Sequence, residues 1–161
     1  MDESSADYQK IMAYIESHPV GVVSTVDEHG LPEAAAVYVF SVSHHTVCFV
    51  TRNLTRKYQN IYARGDVAIT IYNDSDVSTV QITGKAFVAN DEHMLSYAMD
   101  KINKLFIVRH DAVSPLGKMN NAGDYVLIGV EISYARLRLF QGIDANMSMS
   151  YKEHIIGNLK S

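Results

Sequence analysis

A chain of 161 residues with a formal charge of −4, both signs mixed along its length, excludes a general nucleic-acid binder, which would be basic overall. Its apolar fraction of 47% supports a real core in a single domain, 1–161, and no apolar run is long enough to span a bilayer. The N-terminal Met1-Asp2-Glu3-Ser4-Ser5 lacks a basic-then-apolar leader pattern, and the single cysteine, Cys48, sits in an apolar run as a small hydrophobe, so a cytoplasmic protein is expected.

Residues 5–17 read as a helix. Tyr8, Ile11, Met12 and Ile15 fall at helical spacing, Ser4 or Ser5 is available as a cap, and Pro19 explains a stop near His18. Val20 to Val26 is a β-branched strand, and the turn Asp27-Glu28-His29-Gly30 joins it to a second, Glu33 to Ser41. In that strand Ala34, Ala36, Tyr38 and Phe40 share one face, and Val37 and Val39 the other. After Ser43-His44-His45, Thr46 to Thr51 returns as a third strand. A helix over roughly 53–63 follows, with Asn53 or Thr55 as cap, Tyr58, Ile61 and Tyr62 as buried face, and Gly65 past its end. Val67 to Tyr72 and Val77 to Val88 are two more strands, with Gly84 marking a bulge or a close backbone approach.

The longest helix covers 91–108, with Asp91 as cap and Leu95, Ala98, Ile102 and Leu105 as its stripe, flanked by Met94 and Phe106. Asp111 to Gly123 reads as an exposed loop in which Lys118 could reach a ligand or point at water. Asp124 to Phe140 is the sixth strand, with Arg136, Arg138 and Phe140 on one face and Leu137 and Leu139 on the other. The tail from Gly142 has no clear period, and Tyr151 to Leu159 is expected as a short helix. Hairpin links between most of the six strands predict a closed antiparallel barrel with helices outside.

The chemistry concentrates in Val50-Thr51-Arg52-Asn53-Leu54-Thr55-Arg56-Lys57, a strand end, a turn and a helix start carrying two threonine hydroxyls and three cations. Cations are unfavourable at a helix N-terminus, whereas an anion is welcome there. Thr51, Thr55, Arg56 and Lys57 are therefore candidates to grip a phosphate; charge alone does not separate this from a solvated basic helix start. Phe140 beside Arg136 and Arg138 suits a flat anionic ligand or an ordinary solvated face. The histidines lack zinc-site spacing, and adjacent His44 and His45 diverge in extended backbone. No glycine-rich phosphate loop with a lysine follows a strand.

The order of elements and this basic stretch resemble the flavin-binding split-barrel family that includes pyridoxamine 5′-phosphate oxidase, over Val20 to Ala89 and, weakly, Tyr125 to Gly142. Thr51 matches the family's strand-end Thr, and Thr55-Arg56-Lys57 its Ser-Arg-Lys, which holds the phosphate of flavin mononucleotide (FMN). Thr79 stands where the oxidase has a cofactor-contacting glutamine, and Phe140-Gln141-Gly142 where it has Trp-Gln-Gly. Two features depart. Ala35 to Phe40 replaces an Arg-x-x-Leu-Leu-Lys segment, and Ile143 to Ser150 lacks the substrate-phosphate arginines. The chain thus looks like a diverged small member of the family rather than a pyridoxamine phosphate oxidase.

The resemblance implies a mainly β (α+β) fold, a six-stranded antiparallel split β-barrel with Greek-key connections and flanking helices. It implies a homodimer with two FMN sites across its interface, and an unidentified small-molecule substrate or electron donor. Cofactor-binding positions would be Val37, Tyr38 and Val39, whose backbone lies along the ring, with Val50, Thr51, Thr55, Arg56, Lys57 and Thr79; Arg138 and Phe140 would act on the partner's flavin. Relatives also leave open a flavin carrier or sensor, a deazaflavin, or haem, for which His154 is the C-terminal candidate ligand.

Overall fold

In the computed structural model, residues 2–42, 45–110, 124–143, 145 and 147–157 are described. Helix α1 (Ala6–Ser17) begins at Ser5, whose side chain accepts the Tyr8 N–H, and closes at His18, whose N–H donates to the Tyr14 carbonyl. Strands β1 (Val20–Val26) and β2 (Pro32–Tyr38) form the expected hairpin, from Val20 opposite Tyr38 to Val26 opposite Pro32. Asp27 Oδ1 tightens its turn by accepting the N–H groups of His29 and Leu31, and Gly30 takes a φ of 87°.

The strand expected over Glu33 to Ser41 turns a corner at Val39. Its N–H leaves the ladder to donate to the Pro19 carbonyl at 2.7 Å, and the chain resumes as β3 (Phe40–Val42). β2 pairs with β1, whereas β3 pairs with β4 (Thr46–Arg52), so one bent strand serves two neighbours. Helix α2 (Arg56–Ala63) leads on to β5 (Asp66–Asn73), β6 (Ser78–Ala89), α3 (Glu92–His110), β7 (Tyr125–Ile143) and β8 (Met149–Gly157). The hydrogen-bonded order is β2-β1-β5-β6-β7-β4-β3, all described pairs antiparallel, with β8 added to β7. Counting the bent β2–β3 as one path gives the split barrel with flanking helices that the sequence implied.

β8 corrects the expected helix at Tyr151 to Leu159: over its described part that segment is a strand along the far half of β7, from Tyr134 opposite Gly157 to Ile143 opposite Met149. Gly84 sits where β6 and β7 change register, and a Cβ there would lie 2.2 Å from the Glu131 carbonyl oxygen, which leaves room only for glycine. The expected loop 111–123, with Lys118, and residues 43 and 44 lie outside the described residues.

Alternating side chains of the strands fill the barrel, among them Val23, Val39, Phe49, Ile69, Ile82, Val130 and Leu137. Ile11 and Ile15 of α1 and Ile61 of α2 cap that core. A second cluster, Phe40, Cys48, Leu127 and Ala98, glues α3 to the outside. Burial there pushes the Cys48 thiol up to about 12, so it packs and does not react.

Candidate functional site

The turn between β4 and α2 is built by its own side chains. Thr55, the N-cap, donates its hydroxyl to the Arg52 carbonyl at 2.8 Å and accepts the Tyr58 N–H at 3.4 Å. Its Oγ1 lies 3.1 Å from Oγ1 of Thr51, the inward-facing residue near the end of β4, which is 6% exposed. Two hydroxyls are thus fixed side by side at the head of a helix. The Arg56 and Lys57 N–H groups, first in that helix, have no acceptor among the described residues.

The three cations divide. Arg52 pairs with Asp124 at 3.3 Å, and its backbone carbonyl, not its charge, serves the turn. Arg56, with its side chain 70% exposed, pairs through Nε with Glu33 Oε2 at 3.4 Å. Lys57 is half-buried and has no acid partner among the described residues. The expectation of three unbalanced cations is therefore reduced to one net positive charge, because β2 brings Glu33 and the start of β7 brings Asp124. Glu33 Oε2 also accepts from Asn60 Nδ2 at 3.2 Å, and the same amide donates to Thr25 Oγ1 at 3.0 Å.

The depression beside α2, about 280 Å³, is lined by Asp27, Glu28, Arg56, Gln59, Asn60 and Ala63, so its acids oppose an anion. Another, about 340 Å³, lies where β6, β7 and the start of α3 meet and carries Asp91 and Glu92 with no cation. Neither offers an anion the hydroxyls, N–H groups and ammonium that the open helix head presents.

Of the proposed ring contacts, Val37 and Val39 point into the core, Tyr38 is half-buried and Val50 packs against the second cluster. The Val39 N–H is already used by Pro19. Thr79 and Arg138 face each other across β6 and β7, and Glu153 of β8 stands opposite Arg138 in turn. Glu153 Oε1 lies 2.9 Å from Arg138 Nε, and the guanidinium stacks 4.2 Å from the centre of the Tyr151 ring. Phe140 meets Tyr151 edge-on at 5.8 Å. Tyr151 and Glu153 escaped sequence reading because the strand that carries them was not recognised.

These residues form two groups. Thr51 lies opposite Val126, near the start of β7, and Thr79 lies opposite Arg138, near its end. At the usual rise those points are roughly 40 Å apart along the strand. One copy therefore does not bring Thr51, Thr55, Arg56 and Lys57 together with Arg138 and Phe140.

His154, the haem-ligand candidate, lies inside the fold. It is 4% exposed, its Nδ1 lies 2.7 Å from Asp7 Oδ1 under α1, and Nε2 is buried without a partner. Among the described residues no group of three or more metal-binding side chains forms, and no helix is long and apolar enough to cross a membrane.

The family model described as pyridoxamine 5′-phosphate oxidase matches residues 8–138, from α1 to the Arg138 row of β7. The chain belongs to the pyridoxamine 5′-phosphate oxidase-like family. Solved structures agree on the fold. A Listeria innocua protein described as a pyridoxamine 5′-phosphate oxidase is 21% identical, with a TM-score of 0.64 over 80% of this chain and 95% of its own. An F420 reductase is 18% identical, with a TM-score of 0.60 over 76% and 93%. General stress protein 26 from Bacillus anthracis is 18% identical, with a TM-score of 0.59 over 80% and 92%. No curated protein matches the chain. At these identities the neighbours carry the fold alone, and the family includes flavin-binding proteins.

Proposed function

We propose that this chain binds FMN and acts as a flavin-dependent oxidoreductase in a homodimer with two equivalent sites. The observation that carries the reading is the Thr51–Thr55 hydroxyl pair at 3.1 Å, beside Lys57 and two N–H groups at the head of α2 that have no partner among the described residues. The Thr51 hydroxyl, the two N–H groups and the Lys57 ammonium are donors suited to a phosphate ester, and the Thr55 hydroxyl joins them on leaving the Arg52 carbonyl, so the residues fit the group. Thr51, Thr55 and Lys57 would hold the ester, and Arg56 would add the outer edge of its guanidinium. Bound flavin supplies the redox chemistry, and the protein binds, orients and excludes water. This accounts for a site with no acid–base pair.

The two-chain arrangement is supported by the separation of the two groups along β7. A two-fold mate would set Arg138 and Phe140 of one copy against the helix head of the other, and self-complementarity makes both sites alike. Phe140, backed edge-on by Tyr151, would cover the ring, and Glu153 would keep Arg138 from adding net charge there.

Purified protein titrated with FMN is expected to turn yellow with a flavin band and to sediment as a dimer. Anaerobic NADH or NADPH should then bleach the band, and an added acceptor should restore it. No uptake of FMN refutes the cofactor. Uptake without reduction by either nucleotide leaves a carrier or sensor and refutes the oxidoreductase. Full affinity in a monomer refutes the shared site.

A further inference from the structure

Among the described residues Glu33 is the one carboxylate ion-paired to the proposed phosphate-binding residues, and nothing in the family resemblance pointed to it. We infer that Glu33 sets the strength and charge preference of the grip by holding Arg56 in an internal ion pair. The inference rests on the FMN reading above.

Three observations carry it. First, Glu33 is anchored. Its side chain is 22% exposed, and Oε2 accepts from Asn60 Nδ2, whose amide is itself buried and spends its other hydrogen on Thr25 Oγ1. β1, β2 and α2 thus converge on one carboxylate that cannot swing away without stranding a buried amide. Second, Arg56 is the exposed partner. It touches Glu33 only through Nε at 3.4 Å, and its side chain is mostly in water. Third, the charges at the helix head sum differently with and without Glu33. With it, and with Arg52 bound to Asp124, only Lys57 lacks an acid partner among the described residues; without it, Arg56, then faced only by Asp27 and Glu28 across the depression, joins Lys57.

An incoming phosphate that takes the outer edge of Arg56 therefore meets a guanidinium whose charge Glu33 already offsets, and settles near that fixed negative charge. A monoester carrying close to two charges is penalised more than an anion carrying one. Glu33 makes the grip weaker for a monoester than its cations alone would make it, and keeps such a ligand exchangeable.

The test is titration of wild type, Glu33→Gln, Arg56→Gln and the double variant with FMN and with riboflavin, followed by quenching of flavin fluorescence at fixed ionic strength. Glutamine keeps an oxygen for Asn60 and removes only the charge. Glu33→Gln is expected to tighten FMN on the order of tenfold, as for a partly screened charge pair, and to leave riboflavin unchanged. In the Arg56→Gln background the gain should shrink, because the side chain whose charge Glu33 offsets is gone; a purely structural role would not show that coupling. Unchanged or weaker FMN binding in Glu33→Gln, or an equal gain for riboflavin, overturns the inference while leaving the FMN site standing. If wild type does not distinguish FMN from riboflavin, the phosphate reading itself fails, and the role of Glu33 falls with it. Should the glutamine variant not fold, Glu33→Ala combined with Asn60→Ala, which removes the amide together with its acceptor, is read by the same criteria against Asn60→Ala.

Discussion

Replacing Thr51 by valine removes one oxygen and keeps the shape. Among the described residues that oxygen meets only Thr55 Oγ1, and Thr55 keeps its bond to the Arg52 carbonyl at 2.8 Å. The folded state therefore loses one neutral hydrogen bond, and valine suits a strand position that is 6% exposed, so stability should change by about 1 kcal/mol or less. Binding should suffer more. A hydrogen bond to a charged phosphate is worth roughly 1.5–3 kcal/mol, a loss of about ten- to a hundred-fold in FMN affinity. Riboflavin, which lacks the ester, should bind both proteins alike. Calorimetric titration with both ligands, beside a thermal melt, separates the two effects. Equal FMN affinity in wild type and T51V, with an unchanged melt, would place the phosphate elsewhere.

Gly84→Ala puts a methyl group into the Glu131 carbonyl at 2.2 Å, a backbone atom that cannot step aside, and should cost about 3 kcal/mol or more in urea unfolding; a midpoint within error of wild type would show that the bulge opens freely. Val77, a β-branched residue at φ 52° in the β5–β6 turn, is strained by about 1–2 kcal/mol. Val77→Asn should therefore raise the melting temperature by about 2–4 °C, and a lower value would refute the strain. The hydrogen bond from His154 holds the Asp7 carboxyl below its ordinary value of 3.8. The folded-state value being depressed, the contact's stability is present above about pH 4 and is lost as pH falls through the lowered value. Asp7→Asn should lie below wild type in stability at pH 6 and converge on it in acid, and a constant gap across that range would exclude the linkage.

Local chemistry made much of the barrel legible. Ser5 and Thr55 cap because their hydroxyls reach the third N–H on, and Pro19 stops α1, all readable within a few residues. Gly84 announced its bulge because glycine weakens a strand without a steric reason for it. The corner at Val39 was hidden, since its cause is a carbonyl twenty residues earlier, at Pro19. β8 was hidden because its inward positions are His154 and Ile156, and a buried histidine breaks the apolar alternation that identifies a strand. At the site, hydroxyls and cations could be read from one octapeptide. Their neutralisation could not, because Glu33 and Asp124 arrive from other strands.

β7 runs unbroken past both groups and is bonded to β6 from Leu127 to Arg138. Side chains on a strand alternate, so sliding β7 by one residue would turn Arg138 and Phe140 inward, expel Leu137, and invert Val126 beside Thr51 in the same movement. The irregularity at Gly84 is the notch that forbids the slide, because the pairing matches there in only one alignment. A single residue without a side chain thereby keys the phase of two distant patches.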